Sequence, residues 1–365
     1  MVNDEYSDSF SVCFNMMKMK YSSYDKDIDE SRFLSPDDKV NIFISFETVM
    51  KYLSQIKDID RKLILEREYP VILAAGALNL AAHYKRLFRQ NGLQTRVFLY
   101  YTDPRSDAYQ LYDRNDEYRS YYTQKFLYNP HFSLLGESMT QVIVPEIQTI
   151  CNFINGVYFL VAKDFEGSLI PMIIAEREPE WKNLIISGDA YDTQYQMNPD
   201  KYLMHFMKRG NGNSSITFDI RRTAQLLFFD KEADAEQLDI VTGNPSFYCM
   251  LLAAKGSKTR TIDPIKGCGA KTIMKHITNA IKESSITRHT TSIDLITSVF
   301  PEDIQEFITN NSYCTNLEDQ YKKLTKEDIY SIEKQLVDRC DNNSLAQLNS
   351  SRYYHHQLML PELTM

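Results

Sequence analysis

Apolar positions along this chain crowd into short runs separated by longer polar stretches. Residues 1–38 are polar and acidic apart from an NMMKMK patch, and read as an arm outside any core. Residues 40–46, VNIFISF, are apolar enough for a buried strand, and similar runs at 95–101, 156–161 and 183–187 predict three more. A further short strand is predicted at 215–219. Helical spacing takes over at 47–56 and, more strongly, at 71–91, an amphipathic stretch rich in Ala, Leu and Arg that stops at Gly92. Further helices are predicted over 168–176, with Pro171 in the first turn, and over 233–239, 246–255 and 293–309, the last running around Pro301. Thr325 and Asp328 form a capping box that opens a helix to about residue 339. Strand, helix, strand in alternation predicts an α/β fold with a mostly parallel central sheet flanked by helices.

The longest excursion from this alternation covers residues 103–154. It carries Arg105, Arg114, Arg119 and Lys125 among Tyr109, Tyr112, Tyr118, Tyr121, Tyr122 and Tyr128. Cations interleaved with aromatic rings suit a single-stranded nucleic acid, through phosphate contacts and base stacking. An amphipathic helical pair with half-buried tyrosines accounts for the same pattern.

At 365 residues the chain is long enough for two or three domains. No apolar run is long enough to span a bilayer, and the N-terminal residues do not read as a signal peptide. The six cysteines are widely scattered, with no CxxC or Cys/His spacing that would hold zinc, so free thiols in a reducing compartment are expected. The 24 tyrosines, and loops rich in Asn, Asp and Ser, hint at an AT-rich genome such as that of a large phage.

The formal net charge of −8 argues against a generally basic nucleic-acid binder. Its distribution changes that picture. Between Lys255 and Arg288 eight basic residues stand against only Asp263 and Glu283, so one basic segment sits on an otherwise acidic chain. That arrangement suits docking of a polyanion at one face, although a solvated lysine-rich helix would look the same. The sequence inside this segment is more specific. Gly267-Cys268-Gly269 reads as a tight hairpin opening a helix at about Ala270, followed at once by Lys271, Thr272 and Lys275. Glycines allow positive φ and close approach of the backbone, and a helix start presents unpaired amides at the positive end of its dipole. With Lys266, these residues compose a phosphate cradle.

GCGAKT resembles the GIGxKTA hairpin in the helix-hairpin-helix element of flap endonucleases and phage 5′-nucleases. Other landmarks follow in that family's order over residues 40–290. VNIFISFE stands at the first strand, the 103–154 excursion at the helical arch or gateway, LVAKDFEGSLIPMIIAE at the acidic helix start EADDxIAxLA, and ISGDAYDTQY at the segment SGDxDxxQL. The resemblance implies a PIN-like α/β domain over 39–245 with the arch inserted in it, a helix-hairpin-helix region over 246–310, and a C-terminal helix and tail over 311–365. It also implies duplex or flap DNA as partner, held through Lys266, Gly267, Gly269, Lys271, Thr272 and Lys275, with a potassium ion on the hairpin carbonyls. Arg119 and Lys125 would match the basic residues that steer the scissile phosphate. Paired magnesium or manganese ions would activate water and stabilise the leaving oxygen.

Carried over residue by residue, the family's acidic cluster is thinned. The first-strand Asp falls at Ser45 or Phe46, with Glu47 one step away. Asp164 and Glu166 match the first two acids of the helix start, and Gly167 replaces the third. Asp189 matches the Asp of SGD, with Asp192 displaced by one position from the next acid. Arg260 falls on a further Asp unless Asp263 fills that role, and Ser257 replaces another acid. A unit positive charge about 4 Å from a unit charge on a metal ion costs roughly 4 kcal/mol at an effective dielectric near 20. Three readings follow. The first is a divergent 5′-nuclease-family protein that binds duplex or branched DNA with weak or lost cleavage, in the cytoplasm of a phage-infected cell. The second is an active Mg- or Mn-dependent 5′-3′ exonuclease or flap endonuclease using Asp164, Glu166, Asp189 and Asp192. The third is a non-catalytic assembly protein, in the virion or beside a phage protein partner, that reuses the fold.

Overall fold

The computed structural model describes residues 37–49, 77–88 except 79, 83 and 87, 92–103, 144–152, 154–209, 214–217, 219–229, 234–256 and 264–337. In chain order the described elements include β1 (Lys39–Ser45), β2 (Gln94–Thr102), α1 (Val144–Asn152), β3 (Val157–Ala162), α2 (Ile170–Arg177) and β4 (Lys182–Ser187). Then come β5 (Tyr202–Arg209), β6 (Ser214–Thr217), α3 (Ile220–Ala224), α4 (Ala235–Thr242), α5 (Pro245–Lys255) and α6 (Ala270–Lys282). The last are α7 (Ile293–Thr297), α8 (Glu302–Thr315), α9 (Leu317–Lys322) and α10 (Lys326–Val337). These residues fall into two compact units, one ending at Ile186 and resuming at Thr325, the other running from Ser187 to Leu324.

In the first unit β1 pairs in parallel with both β2 and β4, and β2 pairs in parallel with β3, giving the order β3-β2-β1-β4. The α/β architecture and the parallel sheet are as the apolar runs imply. Parallel strands are covered on both faces and so lose the polar alternation of half-exposed strands. Residues 40 to 45 of β1 are accordingly all buried. One cross-strand row stacks Phe43 on Phe98 and Phe98 on Tyr158, with ring centroids 5.0 and 4.9 Å apart. Such aromatic pairs contribute about 0.5–1.5 kcal/mol beyond the area they bury. A second row is polar. Arg96 of β2 donates to Asn41 Oδ1 of β1, and Asn41 Nδ2 donates to Asn183 Oδ1 of β4 at 3.3 Å. Asn41 and Asn183 are buried, so a one-residue slip of any strand would break this polar row and leave buried polar groups without their partners.

Helix α10 covers the β3 edge. Gln335 accepts from the Val161 amide at 2.9 Å and donates to the Val161 carbonyl at 3.0 Å, as a neighbouring strand would. The predicted capping box opens α10 as expected, with Asp328 accepting from the Thr325 amide and hydroxyl at 2.8 Å each.

The second unit is built on α5, whose residues 246 to 254 are all buried. Asn244 caps its start by accepting from the amides of Ser246 and Phe247. Asn311 of α8 donates to the Ala253 carbonyl at 2.9 Å, and Ile265 returns the chain to α5 by donating to the Ala254 carbonyl at 3.0 Å. Strands β5 and β6 form an antiparallel pair. The single helix predicted over 293–309 is corrected to two, α7 and α8. Pro301 lacks the amide needed to continue α7, and instead takes the N-cap of α8 at φ −55°, ψ 143°.

Candidate nucleic-acid interface and the acidic positions

The glycine hairpin forms as the sequence implies. Gly267 lies at φ +73°, a left-handed conformation that glycine adopts without penalty, and the Cys268 amide closes the turn on the Ile265 carbonyl at 3.1 Å. Gly269 is the N-cap of α6 and offers no side chain to cap it. Its carbonyl accepts from the amides of Thr272 and Ile273 at 2.9 and 3.1 Å. Among the described residues the earlier amides, of Gly269, Ala270 and Lys271, have no hydrogen-bond partner. Thr272 Oγ1 reaches back to the Gly267 carbonyl at 3.5 Å, the outer limit of a hydrogen bond.

The hairpin is pinned from below. Cys268 is 2% exposed, and burial, reinforced by the charge of Asp303, raises its thiol pKa. Ile273, Met274, Ile277 and Ala280 form the buried stripe of α6, while Lys271 and Lys275 stand exposed on the opposite side. Lys266 is exposed beside the turn. Among the described residues none of these three lysines forms an ion pair. Helix α6 has no acid in its first turn, whereas α8, α9 and α10 each have two. A cation in the first turn opposes the helix dipole by about 0.3–1 kcal/mol. Lys271 is therefore not placed for the helix's own stability. The arrangement presents backbone amides, two open glycines and three unpaired ammonium groups on one rigid element.

The acidic positions behave differently. In the first unit the C-terminal ends of the strands are tied to one another. Ser45 Oγ donates to Glu47 Oε2 at 3.3 Å and accepts from the Thr48 amide at 3.3 Å. Glu47 Oε1 accepts from the Thr102 amide at 3.0 Å, so this carboxylate caps the end of β2. Asp164 is exposed just beyond β3, and Glu166 is 6% exposed. The Gly167 amide donates to Thr102 Oγ1 at 2.9 Å, and a β-carbon on Gly167 would lie 2.9 Å from Thr102 Oγ1 and from the Tyr101 carbonyl carbon. Close packing of two backbones thus excludes a side chain at the position where the sequence resemblance asks for an acid.

In the second unit Asp189 Oδ1 accepts from the Tyr191 amide at 3.0 Å and holds the turn that opens the 3-10 segment Tyr191–Met197. Asp192 is 1% exposed, and its Oδ2 accepts from Ser187 Oγ at 2.6 Å. Among the described residues no three His, Cys, Asp or Glu side chains are grouped so as to hold a metal ion. Arg119, Lys125, Arg260 and Asp263 lie outside the described residues, as does most of the 103–154 excursion. Thr102 and Gln335 were not singled out from the sequence, and Glu47 was noted only as an acid one step from the expected first-strand position. Their partners lie 55 to 174 positions away, and no local signal announces such pairings. Among the described residues no helix is long and apolar enough to cross a membrane.

No protein-family model matches the chain, and no curated protein matches it. Solved structures do. The T5 5′-exonuclease with zinc bound is matched at 12% identity and a TM-score of 0.47, over 81% of this chain and 98% of that one. The bacteriophage T5 flap endonuclease, as a pseudo-enzyme–product complex with DNA and metal ions, is matched at 13% identity and a TM-score of 0.43, over 80% and 99%.

Proposed function

We propose that this chain is a divergent 5′-nuclease-like protein, PIN-like in fold, that binds duplex or branched DNA through the hairpin and N-terminal half of α6, with weak or lost cleavage. The observation that carries the reading is the Gly267–Lys275 element. Its first-turn amides are unpaired, its lysines have no acidic neighbour in the first turn, and Lys271 sits against the helix dipole. An anion at this position satisfies the amides and reverses the unfavourable lysine–dipole contact at once. Lys266, Lys271 and Lys275 would neutralise phosphates, the amides of Gly269, Ala270 and Lys271 would donate to phosphate oxygens, and Gly267 and Gly269 would let the DNA backbone approach. None of these groups reads a base edge, so binding is expected to be weakly sequence-dependent and strongly salt-dependent.

The reading of weakened cleavage rests on how the acids are used. A two-ion centre needs several carboxylate oxygens free to face the ions. Here the donor set is thinned: Gly167 has no room for a side chain, Glu47 Oε1 caps β2, and Asp189 Oδ1 and Asp192 Oδ2 each accept a hydrogen bond within their own loop. A potassium ion on the hairpin carbonyls is a proposal of the same reading that rests on the sequence resemblance alone, and a phage protein partner is one that rests on the acidic balance of the chain alone.

The test is fluorescence anisotropy of a labelled duplex with the wild-type chain and with Lys271→Glu/Lys275→Glu. Tight, salt-sensitive binding that falls at least tenfold in the double variant supports the reading. Equal binding by both proteins, or no binding by either, contradicts it.

A further inference from the structure

Resting on that reading, we infer that the polyanion-binding surface runs the whole length of α6 and includes Asn279 and Lys282, so that the nucleic-acid backbone lies along the helix and is not held only at its start. In a helix of 3.6 residues per turn, positions 271, 275, 279 and 282 fall on one face. All four are exposed, and they lie opposite the buried stripe of Ile273, Met274, Ile277 and Ala280. The helix sequence AKTIMKHITNAIK contains no acid, so its lysines have no partner within the helix.

The spacing selects the kind of ligand. From Lys271 to Lys282 the helix rises about 16 Å, at roughly 1.5 Å per residue. Three ammonium groups spread over that distance cannot converge on one phosphate, which excludes a mononucleotide or inorganic phosphate as the ligand of the whole stripe. On each strand a nucleic-acid duplex carries one phosphate per about 3.4 Å of its axis, so a backbone running beside the stripe brings several phosphates within reach of the three lysines. Asn279, between Lys275 and Lys282, adds an uncharged donor for a phosphate oxygen. On a chain with net charge −8, an acid-free exposed helix face is the charge complement of that backbone.

The test uses the full chain and a fluorescein-labelled 20-base-pair blunt DNA duplex, titrated at several salt concentrations. Lys282→Glu is compared with Lys271→Glu and with Lys326→Glu, which makes the same charge change on the exposed surface of α10. Far-UV circular dichroism checks that each variant is folded. The inference expects Lys282→Glu to weaken binding several-fold at low salt and to lower the slope of log affinity against log salt by about 0.9, one phosphate contact. Lys326→Glu should leave the slope unchanged. A Lys282→Glu slope equal to wild type, beside a reduced slope for Lys271→Glu, overturns the inference while the hairpin reading stands. Absence of duplex binding by the wild-type chain overturns both. Competition by an acidic peptide of equal charge, with the same dependence on Lys282, overturns the assignment to nucleic acid.

Discussion

Thr102 Oγ1 accepts the Gly167 amide at 2.9 Å and would lie at that same distance from a β-carbon on Gly167. The end of β2 and the segment after β3 are thus packed backbone to backbone. Gly167→Asp, which would supply the acid that the sequence resemblance asks for, should destabilise the chain and bring no cleavage. A loss of about 1–3 kcal/mol is the usual cost of forcing extra atoms into a filled site. Denaturant midpoints of the wild type, Gly167→Ala and Gly167→Asp measure it. A Gly167→Asp variant as stable as wild type would show that the segment can give way.

The two hairpin glycines should separate stability from binding. Gly267 is at φ +73° and an added β-carbon meets nothing within 4 Å, so Gly267→Ala should cost about 1–2 kcal/mol from backbone strain alone. Gly269 is at φ −70° with the same open space, so Gly269→Ala should leave stability within about 0.5 kcal/mol of wild type. Duplex affinity should nevertheless fall in Gly269→Ala, because the new methyl group stands where the DNA backbone approaches. Thermal melts beside anisotropy titrations separate the two effects, and a Gly269→Ala protein that binds as wild type removes the close-approach argument.

Gln335 replaces a neighbouring strand at Val161 by pairing with both of its backbone groups. Gln335→Ala should cost about 1–2 kcal/mol, from two hydrogen bonds near 1 kcal/mol each, and should speed hydrogen exchange at the Val161 amide. An unpaired edge is also a template for pairing with another chain, so self-association should rise. Unchanged exchange at Val161 would show that the edge is held by other contacts.

His205 on β5 is fully buried, and burial holds its imidazole down at about 3 from the usual 6.5. The unfolded chain therefore binds the extra proton first as pH falls. The stability that follows is fully present above about pH 6.5 and is lost progressively as pH falls toward 3. His205→Leu should show a shallower loss of stability between pH 6.5 and 4 than wild type, measured as denaturant midpoints across that range. Parallel curves for the two proteins would mean that this histidine does not titrate with unfolding.

Much of the first unit was legible because parallel strands are apolar over most of their length. The runs at 40–46, 95–101, 156–161 and 183–187 each became a strand within a residue or two of the expected ends. The start of α6 at Ala270 was legible because Gly267 and Gly269 punctuate the chain directly before a stripe of period 3.6. Strand β5, YLMHFMKR, was not, because its basic and methionine residues give neither a clean alternation nor an apolar run. The break between α7 and α8 was missed because the apolar period continues through Phe300 while Pro301 interrupts the hydrogen bonds. At the acidic positions the residue types were legible but their engagement was not. Whether Glu47 faces an ion or caps β2 is decided by Thr102, 55 residues away.

The most direct measurement is binding and cleavage of one labelled 5′-flap duplex by the full chain, first in magnesium and then in manganese. The account predicts salt-sensitive binding that depends on Lys271 and Lys275, with cleavage absent or far slower than binding. Rapid metal-dependent cutting that disappears in Asp189→Ala would contradict it, by showing that the hydrogen-bonded acids of this chain still hold a working metal centre.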